Sequence, residues 1–211
     1  MVKKIIAMNI ALDIGNTYAK LAFFENKKLI HFQEKLSWEM VKSTLEKQIF
    51  DKIIVSDVKN IAQDLLTIIP ANKIIFFNAQ TSLPIQNLYE SPQTLGTDRL
   101  AAAVGAYFCD QTKAHLLIGL GTAMTIDFIN EKGQYLGGNI SLGLNMRFRA
   151  LHEFTKKLPL IQRSEQMPDL LGKTTEQAIK SGVMWGMVAE IQGFVQNYSD
   201  KFGNLEVHLF G

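Results

Sequence analysis

Apolar residues come first in short bursts separated by polar turns, then at helical spacing, and the two patterns alternate along the chain. Ile10 to Leu12 run into Asp13, polar residues and a glycine follow, and Thr17 to Phe24 turn apolar again, which predicts strand, tight turn and strand. Ile30 to Gln33 add a third strand to this meander. From Ser37 the period lengthens. Trp38, Val41, Leu45 and Ile49 share one helical face, with Ser37 placed as the N-cap. Lys52 to Val58 predicts a buried strand, Ile61 to Ile69 a short helix stopped by Pro70, and Lys73 to Phe77 a strand rich in Ile and Phe. Residues 79–94 hold Pro84 and Pro92 and are predicted irregular. Gly96-Thr97-Asp98-Arg99 then open a helix through Phe108, whose Ala101, Ala102 and Gly105 allow close packing. Thr94 or Thr97 can cap it, leaving Asp98 in the first turn where the helix dipole favours a carboxylate.

Leu116 to Asn139 predicts a second meander, followed by a glycine-rich turn over Gly137 to Gly143 and a helix from Leu144 to about Lys157. That helix is expected to bury Met146, Ala150, Leu151, Phe154 and Leu158, with its basic residues solvated. Leu160 to Gly172 reads as a polar loop, and Thr174 with Gln177 as a capping box for a helix from Thr175 to about Tyr198. Ala178, Gly182 and Gly186 recur every fourth residue there, a stripe another backbone can approach; Trp185 and Met187 read as core or subunit-interface groups. Leu205 to Phe210 closes the chain as a core strand. Strands alternating with helices indicate an α/β fold with mixed or parallel sheets.

The two meanders match each other. Laid without gaps over Ala11 to Ile30, the stretch from Leu117 puts Gly121 on Gly15, Glu131 on Glu25 and Tyr135-Leu136 on Leu29-Ile30. Such a repeat points to a duplicated architecture, two like lobes each offering a hairpin loop to a shared cleft.

Composition narrows the class. With 47% apolar and 20% charged residues in 211, the chain is globular, and long enough for one large or two small domains. A net charge of +2 without a long basic run gives no reason to expect nucleic acid. One cysteine, Cys109, excludes an internal disulfide and suits a reducing cytoplasm; its apolar neighbours predict that it is buried. No apolar run is long enough to span a membrane, and Lys3 and Lys4 before Ile5 lead to no small-residue cleavage site. Met8 is an alternative start, with residues 1–7 as a leader, and the strand ending beside Gly211 is expected to mark a truncated second lobe. The four histidines are scattered, so no His or Cys metal cluster is expected.

The candidate chemistry lies in the loops. Gly15 lets backbone approach a ligand, Asn16 and Thr17 offer donors to an anion, and Asp13 sets a carboxylate where nucleotide-borne magnesium is held directly or through water. The same residues also suit an ordinary hairpin with an Asx turn, and Asp98 also suits a plain helix start. No lysine-bearing P-loop and no Gly-x-Ser-x-Gly elbow is present. What remains fits phosphoryl transfer, which needs phosphates held in line, a divalent cation and a base for the acceptor's proton.

Five ordered motifs carry a resemblance: Asp13-Ile14-Gly15-Asn16-Thr17 with Lys20, Gly96-Thr97-Asp98-Arg99, Gly121-Thr122-Ala123-Met124-Thr125-Ile126-Asp127, Gly137-Gly138-Asn139-Ile140, and Thr175 through Gly182. The chain resembles the type III pantothenate kinases, members of the acetate and sugar kinase, heat-shock chaperone and actin superfamily. The resemblance implies duplicated ribonuclease H-like (actin-like ATPase) lobes, each a mixed sheet flanked by helices, here divided as 1–95 and 96–211. It implies ATP-dependent phosphorylation of pantothenate, the first step of coenzyme A synthesis, by a homodimer. Asp13, Ile14, Gly15, Asn16, Thr17, Tyr18, Ala19 and Lys20 match the first phosphate loop, with Asp13 toward Mg2+, and Thr122 matches the second. Asp98 matches the proton acceptor. Gly96, Thr97, Asp98 and Arg99 match the substrate turn, and Tyr89 and Thr175 further pantothenate contacts.

Departures from the family pattern set the alternatives. Gly119 stands where the family has an acid for a monovalent cation, K+ or NH4+, so the cation is either dispensable or held by backbone oxygens and Asp127. Leu142 stands where the glycine turn normally has proline. The alternatives are an impaired relative acting as a regulator or interaction protein, and a superfamily kinase for a sugar or carboxylate, which the Tyr89 to Arg99 segment disfavours.

Overall fold

A computed structural model describes residues 8–78 and 80–211; the leader read into residues 1–7 lies outside them. The chain forms two compact units. One runs to Ser82 and takes in Gly96–Asp98, and the other holds Leu83–Leu95 and Arg99–Gly211.

In the first unit, β1 (Met8–Ile14), β2 (Ala19–Glu25) and β3 (Lys28–Leu36) form an antiparallel meander. Helix α1 (Trp38–Glu46) then leads to β4 (Lys52–Asp57) and β5 (Ile74–Phe76), which lie parallel to β1 in the order β3-β2-β1-β4-β5. Period-2 alternation puts Ile10, Leu12, Ile14, Leu21, Phe23, Ile53 and Val55 on one face, where Val41 and Leu45 of α1 cover them. Ser37 caps α1 as expected, its hydroxyl accepting from Met40 N at 3.3 Å. The helix stops at Glu46, short of the predicted Ile49, which is exposed. The predicted helix over Ile61 to Ile69 is a 3-10 turn, Ala62–Thr67.

The second unit repeats the frame. Its strands β7 (Ala114–Leu120), β8 (Ala123–Ile129), β9 (Gln134–Leu142) and β10 (Leu205–Phe210) pair as β9-β8-β7-β10, matching β3-β2-β1-β4 in order and direction. The gapless match has a simple reason: β7 and β9 begin 106 residues after β1 and β3 (8 to 114, 28 to 134). The Gly15–Tyr18 turn shortens to Gly121–Thr122, and the Asn26–Lys27 turn lengthens by as much, to Asn130–Gly133. Two helices, α3 (Leu144–Glu153) and α4 (Thr175–Phe202), stand between β9 and β10 where the first unit has α1. Thr174 caps α4, accepting from Gln177 N at 3.2 Å, while Gln177 Oε1 accepts from Lys173 N at 2.9 Å. Helix α2 (Thr97–Cys109) precedes β7.

Several expectations need correcting. The segment before α2 contains β6 (Gln86–Asn87), parallel to β9. Gly137 to Leu142 is strand rather than turn. Its glycines serve close approach, since a Cβ on Gly138 would lie 1.8 Å from Ile126 O. In α3 the buried residue is Phe148, and Phe154 is exposed. In α2 the buried small residues are Ala103 and Ala106, while Gly105 faces open space. Cys109 is exposed, not buried. β10 is a sheet edge with Val207, Leu209 and Phe210 exposed, rather than a core strand. Two of the scattered histidines, His115 and His208, are brought together by β7–β10 pairing.

Two alanine substitutions test the glycine reading with opposite signs. Gly138→Ala forces a Cβ into backbone and is expected to cost about 3 kcal/mol or more. Gly105→Ala, in an open helical position, is expected to gain about 1 kcal/mol. Urea denaturation of both variants reads the difference, and equal effects would refute the packing account.

Candidate functional site

The first unit gathers polar groups at the carboxyl ends of its parallel strands, the edge at which open α/β sheets bind ligands. Asp13, next to last in β1, sits between Lys20 on β2 and Ser56 on β4 by strand register. Alternation turns Asp13 away from the face that buries Leu12 and Ile14. Ser56 Oγ lies 3.0 Å from Thr97 Oγ1, which brings the first turn of α2 over this face with Asp98 in it. Burial holds the Asp13 carboxyl above the ordinary carboxylate range. Lys20 opposes that shift, the nearby Asp98 charge adds to it, and a hydrogen bond from Ser56 works against it. Beside Asp13 the hairpin loop closes with Gly15 N donating to Tyr18 O at 3.2 Å, leaving Asn16, Thr17 and Tyr18 exposed. Asp57, at the end of β4, accepts from Lys59 N at 2.8 Å and Ala62 N at 2.7 Å, which fixes the following turn.

Two carboxylates with serine and threonine hydroxyls close by make an all-oxygen donor set, and burial, with a smaller contribution from the Asp98 charge, raises the Asp13 carboxyl. Such a donor set fits a hard divalent cation such as Mg2+.

The second unit builds a cluster around Arg99. Its side chain is 7% exposed and meets Asp127, on β8, which is fully buried. Arg99 Nε donates to Asp127 Oδ1 at 3.0 Å and Oδ2 at 3.1 Å, and Nη2 donates to Oδ1 at 2.6 Å. Tyr135, on β9, donates its hydroxyl to the same carboxylate at 2.5 Å. The Arg99 guanidinium carbon stands 5.8 Å from the Tyr89 ring centroid, and the Tyr89 and Tyr135 rings meet edge to face at 6.2 Å. Burial alone would lower the Arg99 pKa, but the hydrogen bonds and charge of Asp127 outweigh it and keep the guanidinium charged. Burial, then the Asp127 charge, keep the Tyr135 hydroxyl protonated. Asp127 therefore spends its carboxylate on Arg99 and Tyr135. It is not presented as a ligand for a monovalent cation.

Gly119 also departs from a cation site. It is buried, and a Cβ there would lie 2.7 Å from Thr125 Oγ1 and 3.1 Å from the Phe210 ring, so side chains fill the direction an acid would take. The residues present do not fit the acid-bearing cation site that the resemblance implies.

Thr122 is exposed in the second glycine loop, where its carbonyl accepts from Gly143 N at 3.1 Å. Gly143 is the N-cap of α3, and a Cβ on it would lie 2.2 Å from the carbonyl oxygens of Gly121 and Thr122, so only glycine lets the helix amino end meet this loop. Thr175 belongs to another feature. With Leu151, Phe154, Leu158 and Ile179 it lines an apolar groove of about 780 Å³ between α3 and α4.

The structure thus brings together Asp13, Lys20, Thr97 and Asp98 in one unit, and Tyr89, Arg99 and Asp127 in the other. Sequence reasoning missed Ser56 and Tyr135. Ser56 is a polar residue at the end of a predicted buried strand. Tyr135 was visible only as a repeat position.

The profile of the type III pantothenate kinase family matches residues 9–197. A type III pantothenate kinase of Bacteroides fragilis is 40% identical over 210 residues, covering 97% of this chain and 85% of that protein. Its counterpart in Azobacteroides pseudotrichonymphae is 42% identical over 198 residues, covering 92% and 80%. Among solved structures, a conserved Campylobacter jejuni protein assigned to the Baf family of transcriptional activators aligns with TM-score 0.53 at 19% identity, over 96% of this chain and 90% of that one. A Sinorhizobium meliloti protein assigned as a 2-dehydro-3-deoxygalactonokinase aligns with TM-score 0.52 at 12% identity, over 95% and 93%. These two speak for the fold alone, the duplicated α/β fold of actin-like ATPases and sugar kinases. With a family profile spanning most of its length and relatives this similar, the chain belongs to the type III pantothenate kinase family.

Proposed function

We propose that this chain transfers the γ-phosphoryl group of ATP to the primary hydroxyl of pantothenate, giving 4'-phosphopantothenate in the first step of coenzyme A biosynthesis. What supports the reading is membership of this family together with the 3.0 Å contact of Ser56 Oγ with Thr97 Oγ1, which sets the helix turn bearing Asp98 beside the strand ends that carry Asp13. In the transfer the pantothenate hydroxyl oxygen bonds to the γ-phosphorus, the bond to the ADP oxygen breaks, and Asp98 accepts the hydroxyl proton. A weak base suffices, because the loose transition state asks mainly for an oriented nucleophile. We assign Asp13 to hold Mg2+, through water, where the ion would supply positive charge to the transferred phosphoryl group. The backbone and side chains of Ile14 to Lys20, and Thr122 beside the amino end of α3, are assigned to the phosphates. Gly96, Thr97, Arg99, Tyr89 and Thr175 are assigned to pantothenate.

Further parts of the reading rest on chemistry. Gly119 and the committed Asp127 give no carboxylate to K+ or NH4+, so turnover is assigned as independent of either. Copies are proposed to pair through α4, where a Cβ on Gly182 or Gly186 would point into open space, beside the apolar groove. Among the described residues no helix is long and apolar enough to cross a membrane. A cytoplasmic site suits an exposed thiol at Cys109.

Asp98→Asn is expected to reduce pantothenate-dependent ADP release by about 100-fold or more while nucleotide binding persists. An unchanged rate would remove Asp98 as base. The same assay with and without potassium chloride is expected to give one rate.

Asp13 offers a test with two signs. Because burial raises its carboxyl pKa in the folded chain above the ordinary carboxylate value, folding disfavours the ionised form, and the stability Asp13 contributes at low pH is lost as pH climbs through the folded value. Asp13→Asn is therefore expected to raise Tm at neutral pH without magnesium, while weakening use of magnesium-ATP. A lowered Tm with normal magnesium dependence would contradict both assignments.

A further inference from the structure

Far from the glycine loops, the parallel pairing of β7 with β10 sets Glu206 opposite His115 and His208 opposite Leu117, so His115, Glu206 and His208 project from one face. His115 is fully buried, and its Nε2 lies 2.7 Å from the carbonyl oxygen of Asp110. A carbonyl only accepts, so Nε2 carries the proton and Nδ1 presents its lone pair. Nδ1 faces Nε2 of His208 at 2.9 Å. Glu206 turns Oε1 to Lys113, while its Oε2 lies 3.8 Å from His115 Nδ1 and 3.9 Å from His208 Nε2.

We infer that His115 Nδ1, His208 Nε2 and Glu206 Oε2 form a binding site for a divalent transition metal ion of the Zn2+ type. Two ligands each about 2.0–2.1 Å from one tetrahedral ion stand roughly 3.3 Å apart. The three separations, 2.9, 3.8 and 3.9 Å, bracket that value, so shifts of less than an ångström seat an ion. Two imidazoles and one carboxylate select zinc, cobalt or nickel over magnesium or calcium, which prefer oxygen. An outer shell is present as well. The Asp110 carbonyl fixes the tautomer and ring of His115, and Lys113 holds the second oxygen of Glu206. The side chains of His208 and Glu206 are 30% and 36% exposed, which gives an ion access and leaves its fourth position to water. The ion takes the place of the proton between the two rings, which passes to His208 Nδ1 or to solvent.

The site stands apart from phosphoryl transfer. His115 is the second residue of β7, and the loop bearing Thr122 follows its other end, about 20 Å along the strand. An ion here would clasp the edge strand β10 to β7, so its expected effect is on stability.

The test is to titrate CoCl2 and ZnCl2 into the full chain after dialysis against a chelator. One equivalent of Co2+ is expected to give the visible absorption of a nitrogen-ligated tetrahedral ion, Zn2+ to displace it, and Zn2+ to raise Tm. His208→Ala and Glu206→Gln, both at partly exposed positions, are each expected to weaken binding by at least the ~10- to 100-fold that loss of an outer-shell partner costs, with pantothenate-dependent turnover unchanged. Absence of the cobalt band and of any zinc-dependent Tm rise in the unaltered chain would overturn the site. So would metal affinity in both variants equal to that of the unaltered chain.

Discussion

A guanidinium held almost wholly out of water is the constraint on which the second unit's polar cluster depends. Taking Arg99 and Asp127 from solvent costs several kcal/mol per ion, and only close geometry offsets it. The geometry is supplied by separate elements: Arg99 from α2, Asp127 from β8, Tyr135 from β9, and Tyr89 from the segment before α2. The ion pair thereby ties α2 to the β8–β9 hairpin. Apolar replacements of similar volume often leave a protein as stable or more so, which makes stability a poor reason to retain such a cluster. We propose that the cluster is retained to hold a charged, oriented Arg99 in the turn that carries Asp98.

The first unit shows the opposite balance. Asp13 is partly buried, and burial first, then the nearby Asp98 charge, raise its carboxyl against the opposing effects of Lys20 and Ser56. A satisfied ion pair fixes a side chain, whereas an under-compensated carboxylate attracts a cation. Duplication supplied both units with the same frame, yet the equivalent strand positions diverged. Asp13 keeps its acid, while Gly119 has none and is closed in by Thr125 and Phe210.

Much of this was legible because it is local. Short apolar runs between polar turns marked β1 to β4, Ser37 and Thr174 declared their helices, and the 106-residue repeat announced the second lobe. The candidate loops stood out for the same reason, as contiguous motifs. What was missed depends on distant partners. Gly137 and Gly138 look like a turn until Ile126 is brought close enough to exclude a Cβ, and Gln86–Asn87 becomes a strand only beside β9. Phe148, not Phe154, is buried because α4 covers that side of α3. Arg99 and Asp127 are 28 residues apart, and His115 and His208 are 93 apart, so neither pairing has a local signature.

The central claim, that the buried cluster is kept to position Arg99 for substrate, is tested most directly by replacing the cluster together: Arg99→Met, Asp127→Leu and Tyr135→Phe in one chain. Unfolding free energy and pantothenate-dependent ADP release would be measured on the same preparation. The account predicts stability unchanged or increased, by up to about 4 kcal/mol, with turnover lost. A chain that keeps its turnover, or one that loses about 3–5 kcal/mol as for a broken buried pair, would contradict it.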